Sequence, residues 1–355
     1  MTSKMNSKDR ILQWARPEIV ALKPYQSARE EFVSNGREMI LLDANENPFD
    51  NGMNRYPDPM QLKLKKRLAE TKGVQLEQIY LGNGSDEVLN QLMIAFGVPG
   101  KDKAIILPPT FGMYQVCADI NSIETIAVPL TRDFQLDVDA ILNAQNKRTK
   151  MIFIPSPNNP TGNCFATEDV LRIVKEFKGL VIVDEAYVEF EEGQSIVSQL
   201  DCYDNLIVVQ TFSKAQGMAG VRLGMCFAHP AIIQLMNKLK APYNINVLTQ
   251  EAVLKRLEEQ GLVQQQVQYI KTEKERLLQE LNSISFIKKI YPSQANFFLM
   301  KVDSSSKRHK QLIERGIIVR NPSKNVNCAN TLRVTVGTAE ENNALISALR
   351  TMDTL

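Results

Sequence analysis

Short, wholly apolar runs alternate with amphipathic stretches through the middle of this 355-residue chain. The stretches predict helices at 86–96 and 170–177. The apolar runs predict buried strands at 104–107, 151–154, 180–183 and 206–209. Because strands that alternate with helices favour parallel pairing, we expect an α/β fold whose mostly parallel sheet is covered by helices on both faces.

The N-terminal part of the chain has a different pattern. Residues 1–40 predict an arm with a short helix that ends at Pro24 and Tyr25. The apolar run that follows predicts a short strand leading into a polar turn over 40–48. Two prolines stiffen the loop at 54–59, and helical periodicity follows at 62–70.

Beyond Pro242 a long charged stretch predicts helical structure over 250–281. Later apolar runs predict strands at 295–300, 316–320 and 331–336. This pattern favours a second, smaller α+β domain. The predicted units are an N-terminal arm at 1–30, a large domain at 53–249, and a small domain formed by 31–52 and 250–355.

Composition argues against several classes of protein. The 42 basic and 40 acidic residues leave a formal net charge of +2. The densest basic run, 63–67, carries leucines at helical spacing and is typical of a solvated helix face, so we expect no nucleic-acid partner. No apolar run approaches the ~18 residues of a membrane span, and residues 1–10 lead into no signal-type apolar core.

Cysteines and histidines restrict the chemistry further. The five cysteines are scattered without CxxC spacing, which indicates free thiols and a cytoplasmic protein. The two histidines, His229 and His309, are both expected at the surface. We therefore expect neither a histidine triad nor a metal site, and proton transfer must rely on lysine, tyrosine or a carboxylate.

Two charged residues follow neighbouring predicted strands. The strand at 206–209 is followed by a short segment, Thr211–Ser213, and then by Lys214. Asp184 directly follows the strand at 180–183. Open α/β sheets place their ligands at such strand ends. An amine and a carboxylate there meet the needs of pyridoxal phosphate, which requires a lysine for a Schiff base and an acid to keep its ring nitrogen protonated.

The segment 82–87 precedes a predicted helix and carries two glycines, so its backbone N–H groups could approach an anion. It is also a partial match to GxGxxG. Taken alone, a tight turn in which Ser85 or Asp86 caps the helix explains it equally well. Ser213 and Arg222, near Lys214, add phosphate ligands and favour a phosphate site.

The segment 156–162 forms a stiff turn after another predicted strand and could fix the amide of Asn159 towards a cofactor ring oxygen. Tyr187 could reach the same oxygen. Phe111 follows a further strand end and could stack on the ring. Considered singly, Phe111 and Tyr187 would more often be core aromatics.

Four motifs together resemble the fold type I pyridoxal-phosphate aminotransferases. They are GNGSDE at 82–87, SPNNPTG at 156–162, VDEAY at 183–187 and TFSKAQGMAGVRLG at 211–224. Flanking motifs resemble the histidinol-phosphate aminotransferase family within that class, and the similarity covers nearly the whole chain. These motifs lie at 24–29, 43–48, 54–57, 316–321 and 332–338.

The resemblance implies a role for each matching residue. Lys214 would form the Schiff base and Asp184 would hold the ring nitrogen. The other implied cofactor ligands are Gly84, Ser85, Asp86, Phe111, Asn159, Tyr187, Thr211, Ser213 and Arg222. Tyr56 would reach the cofactor phosphate of the partner subunit, which implies a homodimer with shared sites. The implied substrate ligands are Tyr25, Asn47, Arg320 and Arg333. The family usually has tyrosine where this chain has Phe111.

The implied activity is amino transfer from histidinol phosphate to 2-oxoglutarate, giving imidazole-acetol phosphate and glutamate in histidine biosynthesis. An aromatic amino-acid aminotransferase or a phosphothreonine decarboxylase of the same fold would share every cofactor residue. A nicotinamide dehydrogenase would explain residues 82–87 but not the lysine and aspartate at neighbouring strand ends. A transcriptional regulator of this fold would need a DNA-binding domain, and 1–40 is too short for one.

Overall fold

The computed structural model describes residues 6–25, 39–191 and 195–354. A seven-stranded sheet forms its centre, in the order β1-β7-β6-β5-β4-β2-β3. Its strands are β1 Ile79–Asn83, β2 Lys103–Ile106, β3 Glu124–Ala127, β4 Thr149–Pro155, β5 Leu180–Asp184, β6 Leu206–Thr211 and β7 Leu223–Ala228. The described residues also contain a three-stranded sheet made of β8 Ile287–Ile290, β9 Phe297–Val302 and β10 Thr331–Thr335.

Helices cover both sheets. The α-helices of the described residues are α1 Ser7–Trp14, α2 Pro17–Ala21, α3 Leu62–Lys72, α4 Ser85–Phe96, α5 Met113–Ile120, α6 Val138–Ala144, α7 Thr167–Glu176, α8 Pro230–Leu239, α9 Val247–Glu258, α10 Gln260–Leu281, α11 Ser305–Glu314 and α12 Ala339–Asp353. Short 3₁₀ turns occur at Leu76–Gln78, Val188–Phe190, Ile196–Cys202 and Ala219–Val221. None of the described helices is long and apolar enough to cross a membrane.

Strand direction in the large sheet confirms the predicted mostly parallel arrangement. Strands β3, β2, β4, β5 and β6 pair in parallel, whereas β7 runs antiparallel to both β6 and β1. Along β5, Val181 and Val183 enter one apolar cluster with α3, α6, α7 and α9. Leu180 and Ile182 enter another on the opposite face, with α4, α5 and α8. Alternate side chains thus bury both faces, which explains the continuous apolar runs.

The small sheet is antiparallel, and α10, α11 and α12 contribute to the apolar cluster that includes its strands β9 and β10. This is the α+β arrangement expected for the C-terminal part of the chain. The boundaries of the arm, the large domain and the small domain stay predictions.

Three predicted elements differ from the structure. Residues 39–48 form no strand, and Ile40 and Leu42 are 89% and 88% exposed, because within the described chain no neighbouring strand pairs with their backbone. Residues 316–320 also form no strand; Arg320 pairs with Arg333 of β10 through a single bridge. The helical stretch predicted over 250–281 divides at Glu259 into α9 and α10.

Candidate active site

The ends of the parallel strands place the candidate residues together. In the sheet Pro155 at the end of β4 is opposite Asp184 at the end of β5, and Asp184 is opposite Val209 of β6. A cavity of about 840 Å³ opens at this edge. Its lining includes Ser85, Asp86, Phe111, Asn159, Asp184, Tyr187, Thr211, Ser213, Lys214, Arg222, Arg320 and Arg333. The carboxyl edge of the sheet is thus the candidate site, as expected for an open α/β sheet.

Asp184 is a buried carboxylate with two fixed hydrogen bonds. Its Oδ1 accepts from the backbone N–H of Ala186 at 3.1 Å, and its Oδ2 accepts from the Tyr114 hydroxyl at 2.8 Å. Burial raises the pKa of Asp184 to about 6, while these two hydrogen bonds oppose the rise. A neighbouring cation would lower this pKa again, so the carboxylate suits a positively charged partner.

The amine of Lys214 faces the same cavity. Its Nζ lies 5.5 Å from the centroid of the Tyr187 ring. Desolvation in the cavity lowers the pKa of Lys214, and the positive charge of Arg333 lowers it further, although Asp184 opposes both. A lowered pKa increases the neutral fraction of the amine, which is the form that attacks a carbonyl carbon or accepts a proton.

The start of α4 forms an anion site. Gly84 precedes the helix with φ of +81°, and a Cβ there would collide with the Arg222 guanidinium. No side chain caps the helix by hydrogen bonding, so the alternative in which Ser85 or Asp86 serves as the cap does not describe this turn. The first N–H groups of α4 therefore remain directed towards the cavity edge, where an anion is favoured.

Side chains from β6 and the following loop complete this anion site. The Thr211 hydroxyl donates to the Ser213 hydroxyl at 3.1 Å. Arg222 donates to Ser213 Oγ at 3.5 Å and lies 3.4 Å from Asp86. Gly224 lets β7 approach the backbone of Gly84 and Ser85 so closely that a Cβ would collide with it. Hydroxyls, the start of a helix and a guanidinium thus lie side by side in the cavity lining, and this donor set fits a phosphate.

Aromatic and amide groups line the centre of the cavity. Phe111 contacts Tyr114 edge to face, with ring centroids 5.7 Å apart. Tyr187 packs edge to face on Phe297 at 5.1 Å, and burial raises its pKa to about 12. Asn159 also lines the cavity, and its Oδ1 accepts a short hydrogen bond from Arg333. A flat polar ring could therefore lie between apolar faces while its oxygen meets an amide and a hydroxyl.

Arg320 and Arg333 supply positive charge from the small sheet. Their backbones pair with each other, and the Arg333 guanidinium lies 5.2 Å from the Phe297 ring. Burial lowers the pKa of Arg333, and among the described residues its buried Nε has no hydrogen-bond partner. A buried guanidinium N–H without an acceptor is costly, so the site favours an anionic ligand with oxygen acceptors.

Four expected ligands lie outside the cavity lining: Gly84, which directly precedes the lining residue Ser85, and the more distant Tyr25, Asn47 and Tyr56. Tyr25 is 74% exposed and Tyr56 is 52% exposed, with the Tyr56 ring stacked on Tyr243 at 4.4 Å. Asn47 is exposed and accepts from the backbone N–H of Phe49 at 3.0 Å. The motif at 24–29 lies partly outside the described residues. The roles of Tyr25, Asn47 and Tyr56 therefore stay predictions.

The sequence analysis missed several polar residues that line the cavity, among them Tyr114 and Lys324. Tyr114 lies one helical turn after Phe111, and Lys324 lies four residues after Arg320. A polar residue about one helical turn beyond a motif is the signal that indicates each of them.

The class of the protein follows from the fold and the candidate site. An α/β fold with a lysine, a carboxylate and an anion site at the carboxyl edge of its sheet is an α/β enzyme of the fold type I class.

Comparison with known proteins identifies the family. Residues 38–349 match the family of class I and II aminotransferases. A histidinol-phosphate aminotransferase of Flavobacterium johnsoniae is 50% identical over 350 residues, which is 98% of this chain and 100% of that protein. The chain therefore belongs to the class I and II aminotransferases, and within them to the histidinol-phosphate aminotransferase family.

Solved structures show the same fold. The crystal structure of the histidinol-phosphate aminotransferase from Clostridium acetobutylicum has a TM-score of 0.79 at 24% identity, covering 85% of this chain and 91% of that one. The histidinol-phosphate aminotransferase from Sinorhizobium meliloti, solved in complex with pyridoxal-5'-phosphate, has a TM-score of 0.76 at 21% identity and covers 84% of each chain.

Proposed function

We propose that the protein transfers an amino group between histidinol phosphate and 2-oxoglutarate, giving imidazole-acetol phosphate and glutamate in histidine biosynthesis. The observation on which the proposal rests is one cavity lined by Lys214, Asp184, the start of α4 at Ser85, and the arginines Arg320 and Arg333. Relatives named for this activity match the chain over nearly its whole length. The cofactor is pyridoxal phosphate, which when bound withdraws the electrons left on a substrate carbon after it loses a proton.

The residues present fit this cofactor. The uncapped start of α4, with Ser213 and Arg222, would hold its phosphate. Asp184 would face its ring nitrogen, and Phe111 would cover one face of the ring. Asn159 and Tyr187 would meet the ring hydroxyl, and Thr211 would support the phosphate through its contact with Ser213. The uncapped helix start and the collision that a Cβ at Gly84 would cause both support this assignment.

In this proposal Lys214 is the group that accepts and returns the proton. Its lowered pKa increases the neutral fraction of the amine, and the neutral amine can take the proton from the substrate α-carbon and return it elsewhere on the reacting system. Asp184 holds a negative charge next to the ring nitrogen, which stabilises positive charge there throughout the reaction. The two histidines do not line the cavity. Lysine and carboxylate therefore account for the chemistry.

A substrate screen tests the proposal. The purified protein with pyridoxal phosphate should convert histidinol phosphate and 2-oxoglutarate, and glutamate should form in equal amount. Preferred turnover of aromatic amino acids would make the enzyme an aromatic aminotransferase. Release of carbon dioxide from phosphothreonine, without amino transfer, would make it a decarboxylase. The side chains assigned to the cofactor do not distinguish these activities, so the assay decides among them.

Arg333 and Arg320 should separate the two half-reactions. Both substrates carry an anion, so Arg333→Ala should impair histidinol phosphate and glutamate together, by on the order of 2–5 kcal/mol of transition-state stabilisation. Arg320→Ala should harm the phosphorylated substrate more. Tyr25→Phe removes only a neutral hydrogen bond and should cost about 0.5–1.5 kcal/mol. Single-turnover rates of each half-reaction measure these effects.

The matched control for the arginines is Arg315→Ala. Arg315 is exposed, donates to the backbone oxygen of Gln311 at 3.0 Å and does not line the cavity, so both half-reactions should keep their rates. If Arg333→Ala weakened only the glutamate half-reaction, the phosphate would be held elsewhere, and a shared anchor for both anions would be refuted.

We infer a homodimer whose active sites are shared between subunits. Tyr56 lies outside the cavity lining of its own chain, which agrees with a role in the partner's site. Several large apolar side chains near it in sequence are exposed, namely Met39, Ile40, Leu42, Phe49 and Met53. Exposed apolar side chains grouped in one segment favour a protein interface. The partner expected here is a second copy of this chain.

Mixing two inactive variants should restore activity if the sites are shared. In a heterodimer of Tyr56→Ala and Lys214→Ala, one site carries both substitutions and the other carries neither. About half of the wild-type activity per heterodimer is expected from the intact site. Activity measured after subunit exchange, with exchange followed by mass spectrometry, provides the test. Exchange without recovered activity would place Tyr56 in its own subunit's site.

We also infer a cytoplasmic location for the enzyme. All five cysteines are free, as expected in a reducing compartment. The partners expected are small-molecule substrates and a second subunit, with neither nucleic acid nor membrane.

A further inference from the structure

Tyr114 lies beneath the cavity and contacts Asp184 directly. It is fully buried in the first turns of α5, and its ring stacks on Phe153 with centroids 5.1 Å apart. The edge of the Phe111 ring packs against it at 5.7 Å. Held between two aromatic rings, the hydroxyl of Tyr114 points at Asp184 Oδ2 from 2.8 Å. The packing therefore fixes the direction of this hydrogen bond.

Among the described residues, Tyr114 is the side chain that donates a hydrogen bond to Asp184. The backbone N–H of Ala186 occupies the other carboxylate oxygen. The charged groups that face Asp184 act on it through space: Lys214 favours the ionised carboxylate, whereas Asp86 opposes it. Burial also opposes ionisation. The Tyr114 hydroxyl is thus the main side-chain contact that favours the charged form.

We propose that Tyr114 is a positioning residue that keeps the Asp184 carboxylate ionised and oriented, so that the cofactor's ring nitrogen stays protonated. This inference rests on the proposed function. Without the hydroxyl, the carboxylate loses a donor that stabilises its charge and competes better for the proton it shares with the ring nitrogen. A ring nitrogen with less positive charge withdraws electrons less well. Tyr114 therefore acts through Asp184 and touches no reacting atom.

The test replaces Tyr114 with phenylalanine, which keeps both ring contacts and removes only the hydroxyl. Nitrogen-15 NMR of the holoenzyme, loaded with pyridoxal phosphate labelled at the ring nitrogen, reports protonation directly. We expect the resonance of Tyr114→Phe to shift towards that of the unprotonated ring. Both half-reactions should slow by about 10- to 100-fold, the usual effect of losing one hydrogen bond to a charged group. The apoprotein should also bind the cofactor more weakly.

Tyr80→Phe is the matched control. Tyr80 is also fully buried and belongs to the same apolar cluster on that face of the sheet, and its hydroxyl has no hydrogen-bond partner in the part of the chain that the structure describes. Removing an unpaired buried hydroxyl should leave the nitrogen resonance and both rates unchanged. Equal changes in Tyr80→Phe and Tyr114→Phe would mean that the effect arises from core packing, and the proposal would be overturned.

A double-mutant cycle tests whether Tyr114 acts through Asp184. In an Asp184→Asn background the further change Tyr114→Phe should not weaken cofactor binding again, because the charge that the hydroxyl stabilises is already gone. Additive losses in cofactor affinity would overturn the proposal, and so would an unchanged nitrogen resonance in Tyr114→Phe. The NMR and binding measurements need only bound cofactor, so they judge Tyr114 whichever amino donor the wild-type enzyme prefers.

Discussion

Lys214→Ala should abolish turnover and remove the visible absorbance that a covalent link between lysine and pyridoxal phosphate produces. The substitution removes both a nucleophile and a general base, so we expect a loss of about 10⁴-fold or more in kcat. The cavity lining of the described residues contains one other lysine, Lys324, and it lies on the small-sheet side in the loop after Arg320. No nearby amine is therefore placed to substitute at the end of β6.

A second variant, Lys214→Arg, separates the positive charge of Lys214 from its reactivity. Arginine keeps a positive charge next to Asp184 and Tyr187 but is effectively always protonated, so it can neither form the covalent link nor accept a proton. It should be as inactive as the alanine variant, with the visible absorbance equally lost. Retention of that absorbance in Lys214→Ala would show that another residue forms the link, and the assignment of Lys214 would fail.

Asp184→Ala should lower kcat by several orders of magnitude while some cofactor remains bound. The carboxylate is the negative charge at the end of β5, and the ring nitrogen would lose its counter-ion. Asp184→Asn should be nearly as slow, since an amide does not stabilise positive charge on the ring as a carboxylate does. Steady-state and single-turnover rates measure the loss. Near-normal turnover in either variant would refute the role of Asp184.

Protein stability separates a chemical role of Asp184 from a structural one. The pKa of Asp184 is raised from 3.8 to about 6 in the folded protein, so the folded apoprotein binds more protons than the unfolded chain between these values. The contribution of Asp184 to the free energy of unfolding should therefore fall as pH rises from about 4 to 6, by at most about 3 kcal/mol, and the difference between wild type and Asp184→Asn isolates it. Asp184→Asn lacks this titration and should be no less stable than the wild-type apoprotein at pH 7.

Urea unfolding of the two apoproteins across this pH range checks the expectation. If Asp184→Asn unfolded at much lower urea than the wild type at pH 7, the carboxylate would be needed for folding. Its loss of activity could then not be assigned to chemistry alone.

The chain's local pattern was sufficient to predict the centre of the fold. The strands β4, β5 and β6 are buried on both faces, so each contains an unbroken run of at least four apolar residues. Parallel strands expose their carboxyl ends at one edge, so the sequence predicts that Asp184 and Lys214 lie near each other. The family resemblance supplied the remaining site residues.

Other features required tertiary contacts. The sequence shows an apolar run at 40–42 but cannot show whether a neighbouring strand is present to pair with it. It likewise gives no direction for β7, whose antiparallel insertion between β6 and β1 brings Gly224 against Gly84. Both outcomes depend on hydrogen-bond partners distant in the chain, which periodicity does not encode.

The sequence by itself determined which groups are the candidates for the reaction, because a lysine and an aspartate follow buried strands and the chemistry of each side chain is set by its residue type. Only the tertiary structure decided what surrounds those groups. The hydrogen bond from Tyr114 to Asp184 joins residues 70 positions apart, and that from Arg333 to Asn159 joins residues 174 apart. Such contacts arise from how helices and sheets pack, so the environment that adjusts each pKa appears only in the folded chain.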